Sequence, residues 1–183
     1  MQDIETFYPK SKQDWRKWLK INHQKKQSIW LICYKKQANI PTITWSEAVD
    51  EALCFGWIDS TRKSLDSEKF IQYFTKRKPG SNWSKINKDK IERLISENLM
   101  SEAGLKSVEI AKQNGSWTIL DQVEELFIPE DLEAAFEANP GSKDYFMSLS
   151  KSVKKIILHW VTFAKRPETR QTIRIFIGKQ LTK

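Results

Sequence analysis

The chain has 183 residues, of which 39% are apolar and eight are tryptophan, and its formal net charge is +8. This apolar content is ample for a packed core, so we expect a folded soluble protein. No apolar run approaches the ~20 residues that span a bilayer, and the N-terminus lacks the pattern of a secretory signal. These features exclude a membrane span and predict a cytoplasmic location.

The charges are unevenly distributed along the chain. Residues 1–99 carry 19 basic and 12 acidic side chains, residues 100–144 carry three and ten, and residues 145–183 carry nine and one. We expect the acidic block at 121–137 to neutralise the basic C-terminal helices, because charge runs usually form solvated faces or internal pairs. The alternative is that the basic parts attract a phosphate polymer, an anionic lipid or an acidic protein.

The first predicted elements are a helix and a strand. Ser11 and Asp14 form a capping pattern, and the helix that follows places Trp15, Trp18, Leu19 and Asn22 on one face. Residues 28–34 are apolar at both alternating sets of positions, which predicts a central strand covered on two sides.

The segment from Thr44 to Ser60 predicts a helix, a stop and a second strand. Thr44 and Glu47 have the spacing of a capping box, and Gly56 is suited to a left-handed helix stop. Runs 57–63 and 69–75 alternate and predict a hairpin with a five-residue connection. The helix has an apolar face and an acidic face, made of Trp45, Ala48, Val49, Ala52 and Leu53 and of Glu47, Asp50, Glu51 and Cys54, respectively.

From Ser84 onward the period is helical. Helices are predicted from 84 to about 98, from about 102 to 114, from Pro129, after Ser150 and from Pro167. The helix after Ser150 has an apolar stripe of Val153, Ile156, Ile157, Trp160, Val161 and Ala164, and the last helix is expected to bury Ile173, Phe176, Ile177 and Leu181. We predict an α+β fold with a small, mostly antiparallel sheet of about three strands. An α+β part (1–83) precedes a helical part (84–183), and their packing into one compact unit is left open.

Several charged groups are candidates for binding. Asp59 and Arg62 lie among aromatic strand residues, where charged groups require a partner. The basic loop 76–84 opens into a helix and predicts a phosphate or carboxylate site, although it lacks Walker spacing. Its Trp83 could stack a base or sugar, but a packing role is favoured. Arg166, Arg170 and Arg174 form a further basic stripe, either a solvated face or a set of phosphate contacts.

Nucleophilic, metal and cofactor chemistry have little support in the sequence. Cys33 and Cys54 are far apart and lack zinc-ligand spacing, so we predict buried thiols, no metal and no cofactor. Cys54 at a helix C-terminus is a poor thiolate, and nothing in the sequence places His23 beside it. His159 is predicted to be a partly buried, satisfied imidazole.

Five segments carry a family resemblance: WLKINH (18–23), WLICYKK (30–36), ITWSEAVDEALCFGWIDS (43–60), FTKRKPGSNWSKIN (74–87) and AKRPETR (164–170). Together they resemble the YdeI/OmpD-associated family, also called the bacteriocin-protection family, over nearly the whole chain. The resemblance implies a part in tolerance of bacteriocins or cationic peptides and association with a porin, with no defined reaction. Members are regarded as periplasmic, which differs from the cytoplasmic location expected here. The residues implied are Asn22, His23, Glu47, Asp50, Asp59, Ser60, Arg77, Ser81, Trp83, Ser84, Lys165, Arg166, Thr169 and Arg170.

These observations predict a pocket where the Gly56 turn, the Arg77 loop and the corner at Arg166–Arg170 converge. Arg77 and Arg170 would clamp an anion, with Asp59 as their counter-charge. The predicted ligand-binding residues are His23, Asp59, Arg62, Arg77, Ser81, Trp83, Ser84, Lys165, Arg166 and Arg170. The function expected is a non-enzymatic stress or envelope-protection protein whose partner is an anionic small molecule or a protein. The alternatives are a nucleic-acid-binding protein and a small hydrolase or isomerase that uses Asp59 with His23 or Cys54.

Overall fold

The computed structural model describes residues 5–164 and 166–180, apart from the side chains at 173, 174 and 176–180. Contacts divide the chain into two compact units, with the boundary between Trp117 and Thr118. In the part of the chain that the structure describes, every helix is too short or too polar to cross a bilayer.

The first unit contains a four-stranded mixed sheet. Its strands are β1 (Thr6–Phe7), β2 (Ser28–Tyr34), β3 (Trp57–Ser64) and β4 (Lys69–Lys76), in the order β1-β2-β4-β3. β4 pairs antiparallel with both β2 and β3, and β1 pairs parallel with β2. The predicted α+β fold and the hairpin are confirmed. β1 was not predicted, because two residues are too few to show an alternating pattern.

β2 is buried on one face only. Ile29, Leu31 and Cys33 are buried, whereas the residues between them are half-buried. The predicted central strand is confirmed, but its cover on the second face is only partial. On the second face of β2, Trp30 packs across the sheet against Tyr73, and Tyr34 contacts Tyr8.

Four helices of the first unit build the core with this sheet: α1 (Lys12–Asn22), α2 (Trp45–Cys54), α3 (Lys85–Ser96) and α4 (Glu102–Gln113). Their buried side chains include Trp15, Leu53, Leu94 and Val108, in one cluster with Phe74 of β4. Both α3 and α4 thus belong to the unit that contains the sheet. The loop at 78–82, which marks a change of composition, lies inside this unit because α3 packs back onto α2.

The acidic face of α2 is buried, not solvated. Glu51 is only 1% exposed and binds Arg16 at 2.6 Å, and Asp50 binds Lys90 and Arg93, each at 2.5 Å. A buried carboxylate needs such partners, because its desolvation is costly without them. These acids therefore hold α1 and α3 against α2.

Trp45 differs from its predicted place on the apolar face of α2. It is 49% exposed, at the first position of the helix, and its indole N–H donates to Asp59. The other four predicted apolar-face residues, Ala48, Val49, Ala52 and Leu53, are buried.

The end of α2 packs closely against the start of α4. Gly56 adopts φ +71°, as its predicted role as a left-handed stop requires. Ser101, the residue that caps α4, donates from its N–H and its hydroxyl to the carbonyl oxygen of Cys54. Gly104 faces that same carbonyl group, and the space there does not admit a side chain.

The capping box of α2 predicts a pH-dependent mutational effect. Thr44 and Glu47 make both reciprocal bonds, and the hydrogen bonds from Thr44 lower the pKa of Glu47 from 4.5. A carboxyl group whose pKa is lower in the folded than in the unfolded state stabilises the protein at pH values above the unfolded-state pKa. That contribution is lost as the pH falls through the folded-state pKa. We expect Thr44→Ala to cost about 1 kcal/mol at pH 7 and less near pH 3, measured by urea unfolding. Ser150→Ala, at a cap without an acidic partner, should show no such change with pH.

The second unit contains α5 (Asp121–Glu124), α6 (Glu130–Glu137), α7 (Ser142–Ser148), α8 (Lys151–Phe163) and α9 (Pro167–Gln180). Its buried residues are Val123, Leu132, Phe136, Phe146, Leu158 and Val161. The helices predicted from Pro129, after Ser150 and from Pro167 are confirmed. The four residues predicted to be buried by the last helix lie outside the described side chains.

The apolar stripe of α8 is only partly buried. Leu158 and Val161 are buried, but Ile156 is 67% and Trp160 is 54% exposed, so the predicted stripe is wrong in part. Residues 156–158 and 160–161 are apolar, and they surround the helix so that periodicity alone does not select one face. His159 is exposed and contacts Phe163, which corrects its predicted burial. Beside it lies a cavity of about 410 Å³, lined by Leu120, Val123, Glu124, Lys155, Ile156, His159 and Trp160.

The acidic block pairs with basic side chains of the second unit. Glu124 binds Lys155, Glu133 binds Lys143, and Asp131 binds Arg170. The prediction that residues 121–137 neutralise the C-terminal helices is confirmed for the pairs with Lys155 and Arg170.

Both cysteines are buried free thiols, as predicted. Burial raises the pKa of Cys33 to about 11 and also raises the pKa of Cys54. A thiol in this state is a weak nucleophile at neutral pH, because the thiolate is the reactive form.

Candidate functional site

The site that the structure supports best surrounds Arg77, immediately after β4. The Arg77 N–H donates to the carbonyl oxygen of Gly56 at 2.9 Å, so the Gly56 turn positions the start of the basic loop. The side chain then lies over the ring of Trp83, with 3.6 Å from the guanidinium carbon to the ring centroid. Two parts of the predicted pocket, the Gly56 turn and the Arg77 loop, therefore do lie together.

Arg77 is held by uncharged groups. Its Nη2 donates to the carbonyl oxygen of Asn82 at 2.8 Å, whereas its Nε is buried and has no hydrogen-bond partner among the described residues. Burial lowers the pKa of Arg77 to about 10, and the Coulomb attraction of Asp59 acts in the opposite direction. The guanidinium thus remains a cation at neutral pH.

The ring of Trp83 lies directly under the Arg77 guanidinium. It is 1% exposed and contacts Trp117, with 5.0 Å between the ring centroids. Lys88 and Lys112 each lie with Nζ at 5.4 Å from the Trp117 centroid. The favoured interpretation of Trp83 as a packing residue is confirmed, and it also gives Arg77 a fixed aromatic surface.

Asp59 lies on β3 and is bound by neutral donors. Trp45 donates to its carboxylate at 2.8 Å and Gln72 at 3.3 Å, and these donors are the partners that a charged residue on this strand requires. Asp59 therefore contributes negative charge near Arg77 without a direct ion pair to it among the described residues. It remains the counter-charge in our hypothesis.

The two loop serines have local structural roles. Ser84 caps α3 by accepting the N–H of Asn87, and the Ser81 N–H donates to the carbonyl oxygen of Lys78. Further along the chain, Asn114 and Ser116 donate to the carbonyl oxygen of Pro79 and fix the loop. These contacts hold the loop near Arg77 in a defined conformation.

Two other predicted binding residues of the first unit, Arg62 and His23, have other contacts. The guanidinium of Arg62 lies 3.6 Å from the centroid of Phe70 and is exposed. His23 contacts the ring of Phe55, with its Nδ1 at 2.8 Å from the carbonyl oxygen of Leu19. It lines a cavity of about 360 Å³ with Gln24, Ser101, Glu102, Ala103 and Lys106.

The remaining predicted residues lie in the second unit or outside the described residues. Arg170 binds Asp131 and donates to the carbonyl oxygen of Val161 at 3.0 Å, and the bond to Asp131 raises the pKa of Arg170. Arg166 is exposed, and Lys165 lies outside the described residues. Within its own unit, Arg170 is thus already paired with a carboxylate. The shared anion clamp stays a prediction, and the candidate site described here is confined to the first unit.

Sequence reasoning missed Trp117, Asn114 and Ser116 as parts of the site. The NGS sequence at 114–116 signals a turn, but no local pattern indicates which loop that turn contacts. Within the described residues, no group of three or more His, Cys, Asp and Glu side chains is arranged to hold a metal ion.

Comparison with family models divides the chain in two. Residues 125–173 match the model described as "Bacteriocin-protection, YdeI or OmpD-Associated", which confirms the family resemblance for that segment alone. Of the five resembling segments, only AKRPETR (164–170) falls within it. The chain matches no curated protein and no solved structure significantly. Residues 7–107, more than half of the chain and including Arg77 and Trp83, match a second model, and the chain belongs to the family that this model describes as "Domain of unknown function (DUF8412)".

Proposed function

We propose that this chain is a binding protein of the envelope-protection type and that it binds an anionic group at Arg77. The match of residues 125–173 to the bacteriocin-protection model supports the first part of this proposal. The buried Nε of Arg77, which has no partner among the described residues, is the observation that carries the second part.

The two buried carboxylates of the first unit differ from Arg77, which is half-buried. Glu51 and Asp50 each bind a cation directly. Among the described residues, Arg77 contacts only the carbonyl oxygen of Asn82 and the face of Trp83, with the longer-range attraction of Asp59. Arg77 is half-buried with its Nε fully shielded, and a partly desolvated cation gains from a bonded counter-charge, so a bound anion would supply what the described contacts lack.

The chemistry favours an oxyanion. Guanidinium groups bind phosphate and carboxylate oxygens through charge-assisted hydrogen bonds, and the contact with the Trp83 ring restrains the position of the Arg77 guanidinium. The ligand would be a small oxyanion or an acidic group on a partner protein. In both cases it is recognised by binding, with no covalent step.

Thermal unfolding with added inorganic phosphate tests the site. A ligand that binds only the folded state stabilises it by about 2.7 kcal/mol at a hundredfold excess over Kd. We expect phosphate to raise the Tm of the wild type above its value in sodium chloride of equal ionic strength. The Arg77→Met variant should show a clearly smaller rise, because phosphate also stabilises proteins by exclusion from their surface.

Arg62→Met is the matched control. Arg62 lies at the same 3.6 Å from an aromatic ring as Arg77, but it is exposed on β3. Its variant should keep the full rise in Tm. An equal rise in the wild type and in both variants would contradict the anion site.

The envelope role requires a separate test in cells. A deletion strain should become more sensitive to bacteriocins, and the wild-type gene should restore tolerance. Unchanged sensitivity of the deletion strain would remove the envelope role and leave the anion site standing. Restoration of tolerance by the Arg77→Met variant would show that the envelope role does not depend on the anion site.

A further inference from the structure

The sheet of the first unit has a second face that the proposed function does not use. On this outer sheet face, strand positions alternate with the core positions of β2, whereas Ile71 of β4 is itself buried and Ile58 of β3 packs against the core. It consists of Thr6 on β1, Ser28, Trp30, Ile32 and Tyr34 on β2, Ile58 and Lys63 on β3, and Lys69, Ile71, Tyr73 and Thr75 on β4. Tyr8, just after β1, contacts Tyr34 at the same edge.

Aromatic rings occupy adjacent strands of this face. Trp30 and Tyr73 are paired across β2 and β4, with 4.8 Å between their ring centroids. Tyr34 lies four residues beyond Trp30, about 13 Å along the strand, and contacts Tyr8. Trp30, Tyr34 and Tyr73 are half-buried, and none of them belongs to the hydrophobic core.

The charge of the outer sheet face is positive. None of its strand positions carries an acidic side chain, and Lys63 lies with Nζ at 5.0 Å from the Trp30 ring centroid. In the described part of the chain no carboxylate pairs with Lys63. Lys69, further along the sheet, pairs at 3.5 Å with Asp66 in the partly exposed hairpin turn.

We propose that the outer sheet face binds single-stranded nucleic acid. Bases can stack on Trp30, Tyr73 and Tyr34, since every base has a π-face, while Lys63 and Lys69 meet the phosphates. A sheet face with aromatic side chains on neighbouring strands suits splayed single strands. A duplex hides the faces of its bases, so the aromatic rings would contribute nothing to its binding.

The proposal is tested on the full chain by fluorescence anisotropy with labelled oligothymidine and oligouridine. Both single strands should bind, and binding should weaken strongly between about 50 and about 200 mM KCl. A duplex of equal length should bind more weakly than either. Binding that is absent at the lower salt concentration, or stronger for the duplex, would overturn the proposal.

Variants separate stacking from general electrostatics. Trp30→Leu and Tyr73→Leu should each raise Kd roughly tenfold, because each removes a stacking surface. Lys63→Gln should raise Kd and reduce the salt slope by about 0.7. The controls are Trp160→Leu, an exposed tryptophan of the second unit, and Lys17→Gln, an exposed lysine of α1.

Both controls should bind like the wild type, and circular dichroism with Tm would verify that every variant is folded. If folded Trp30→Leu and Tyr73→Leu bind as tightly as the controls, the outer sheet face is not the binding surface. Arg77→Met should retain nucleic-acid binding, because Arg77 is no part of this face. Failure of the phosphate experiment and failure of this one are therefore distinguishable.

Discussion

Replacement of Gly104 by alanine is expected to destabilise the first unit by about 3 kcal/mol or more. A methyl group at this position would lie 2.7 Å from the carbonyl carbon of Cys54, closer still to its oxygen, and 2.8 Å from the terminal carbon of Met100. Backbone atoms cannot yield as a flexible side chain can, and α4 would have to move away from the end of α2. Overpacking of this kind costs more than the ~1 kcal/mol that alanine gains within a helix.

Urea unfolding at neutral pH would measure the loss. The matched control is Gly80→Ala, since an added methyl there has no atom within 4 Å and the backbone is not left-handed. We expect that variant to differ little from the wild type. Equal stability of the two variants would show that α4 does not approach Cys54 as closely as described.

Replacement of Arg16 by methionine is expected to cost about 3–5 kcal/mol, because it leaves a buried carboxylate without its nearest partner. Arg16 binds Glu51 at 2.6 Å and also donates to the carbonyl oxygen of Leu99 at 2.7 Å. Lys12, at 3.5 Å, is the other cation bound to Glu51 among the described residues. Its ammonium group is further away and cannot replace the guanidinium.

A comparison with Arg93→Met isolates the buried-charge effect. Asp50 would keep Lys90 at 2.5 Å, so this variant should lose less stability in the same urea experiment. The double variant Arg16→Met with Glu51→Leu should recover much of the loss, because neither apolar side chain needs a partner. A double variant less stable than Arg16→Met alone would contradict this explanation.

The local signals at Thr44, Glu47 and Gly56 predicted the start and the stop of α2 correctly, because capping bonds and a positive φ depend on neighbouring residues. The burial of Asp50 and Glu51 could not be predicted in the same way. Periodicity assigns them to one face of the helix, but their partners come from α1 and α3. The boundary between the two compact units after Trp117 depends likewise on where α3 and α4 pack, which the local sequence does not show.

The candidate site was predictable where its residues are close in sequence. Arg77 and Trp83 are six residues apart in one loop, so a basic loop that contains an aromatic residue could be predicted from local sequence. In the structure, Arg77 lies over the ring of Trp83. Trp117 lies 34 residues beyond Trp83, and only the packing of α4 brings the two rings together. The prediction that unites Arg77 with Arg170 involves both units and stays a prediction.

The two buried thiols can report local opening of the first unit. Both Cys33 and Cys54 lie before Thr118, so the second unit has no cysteine. An alkylating reagent at neutral pH can reach these sulfurs only when the first unit opens, and the rate of their modification measures that opening without an engineered label. Helical circular dichroism records both units together, so the two signals distinguish sequential from concerted unfolding.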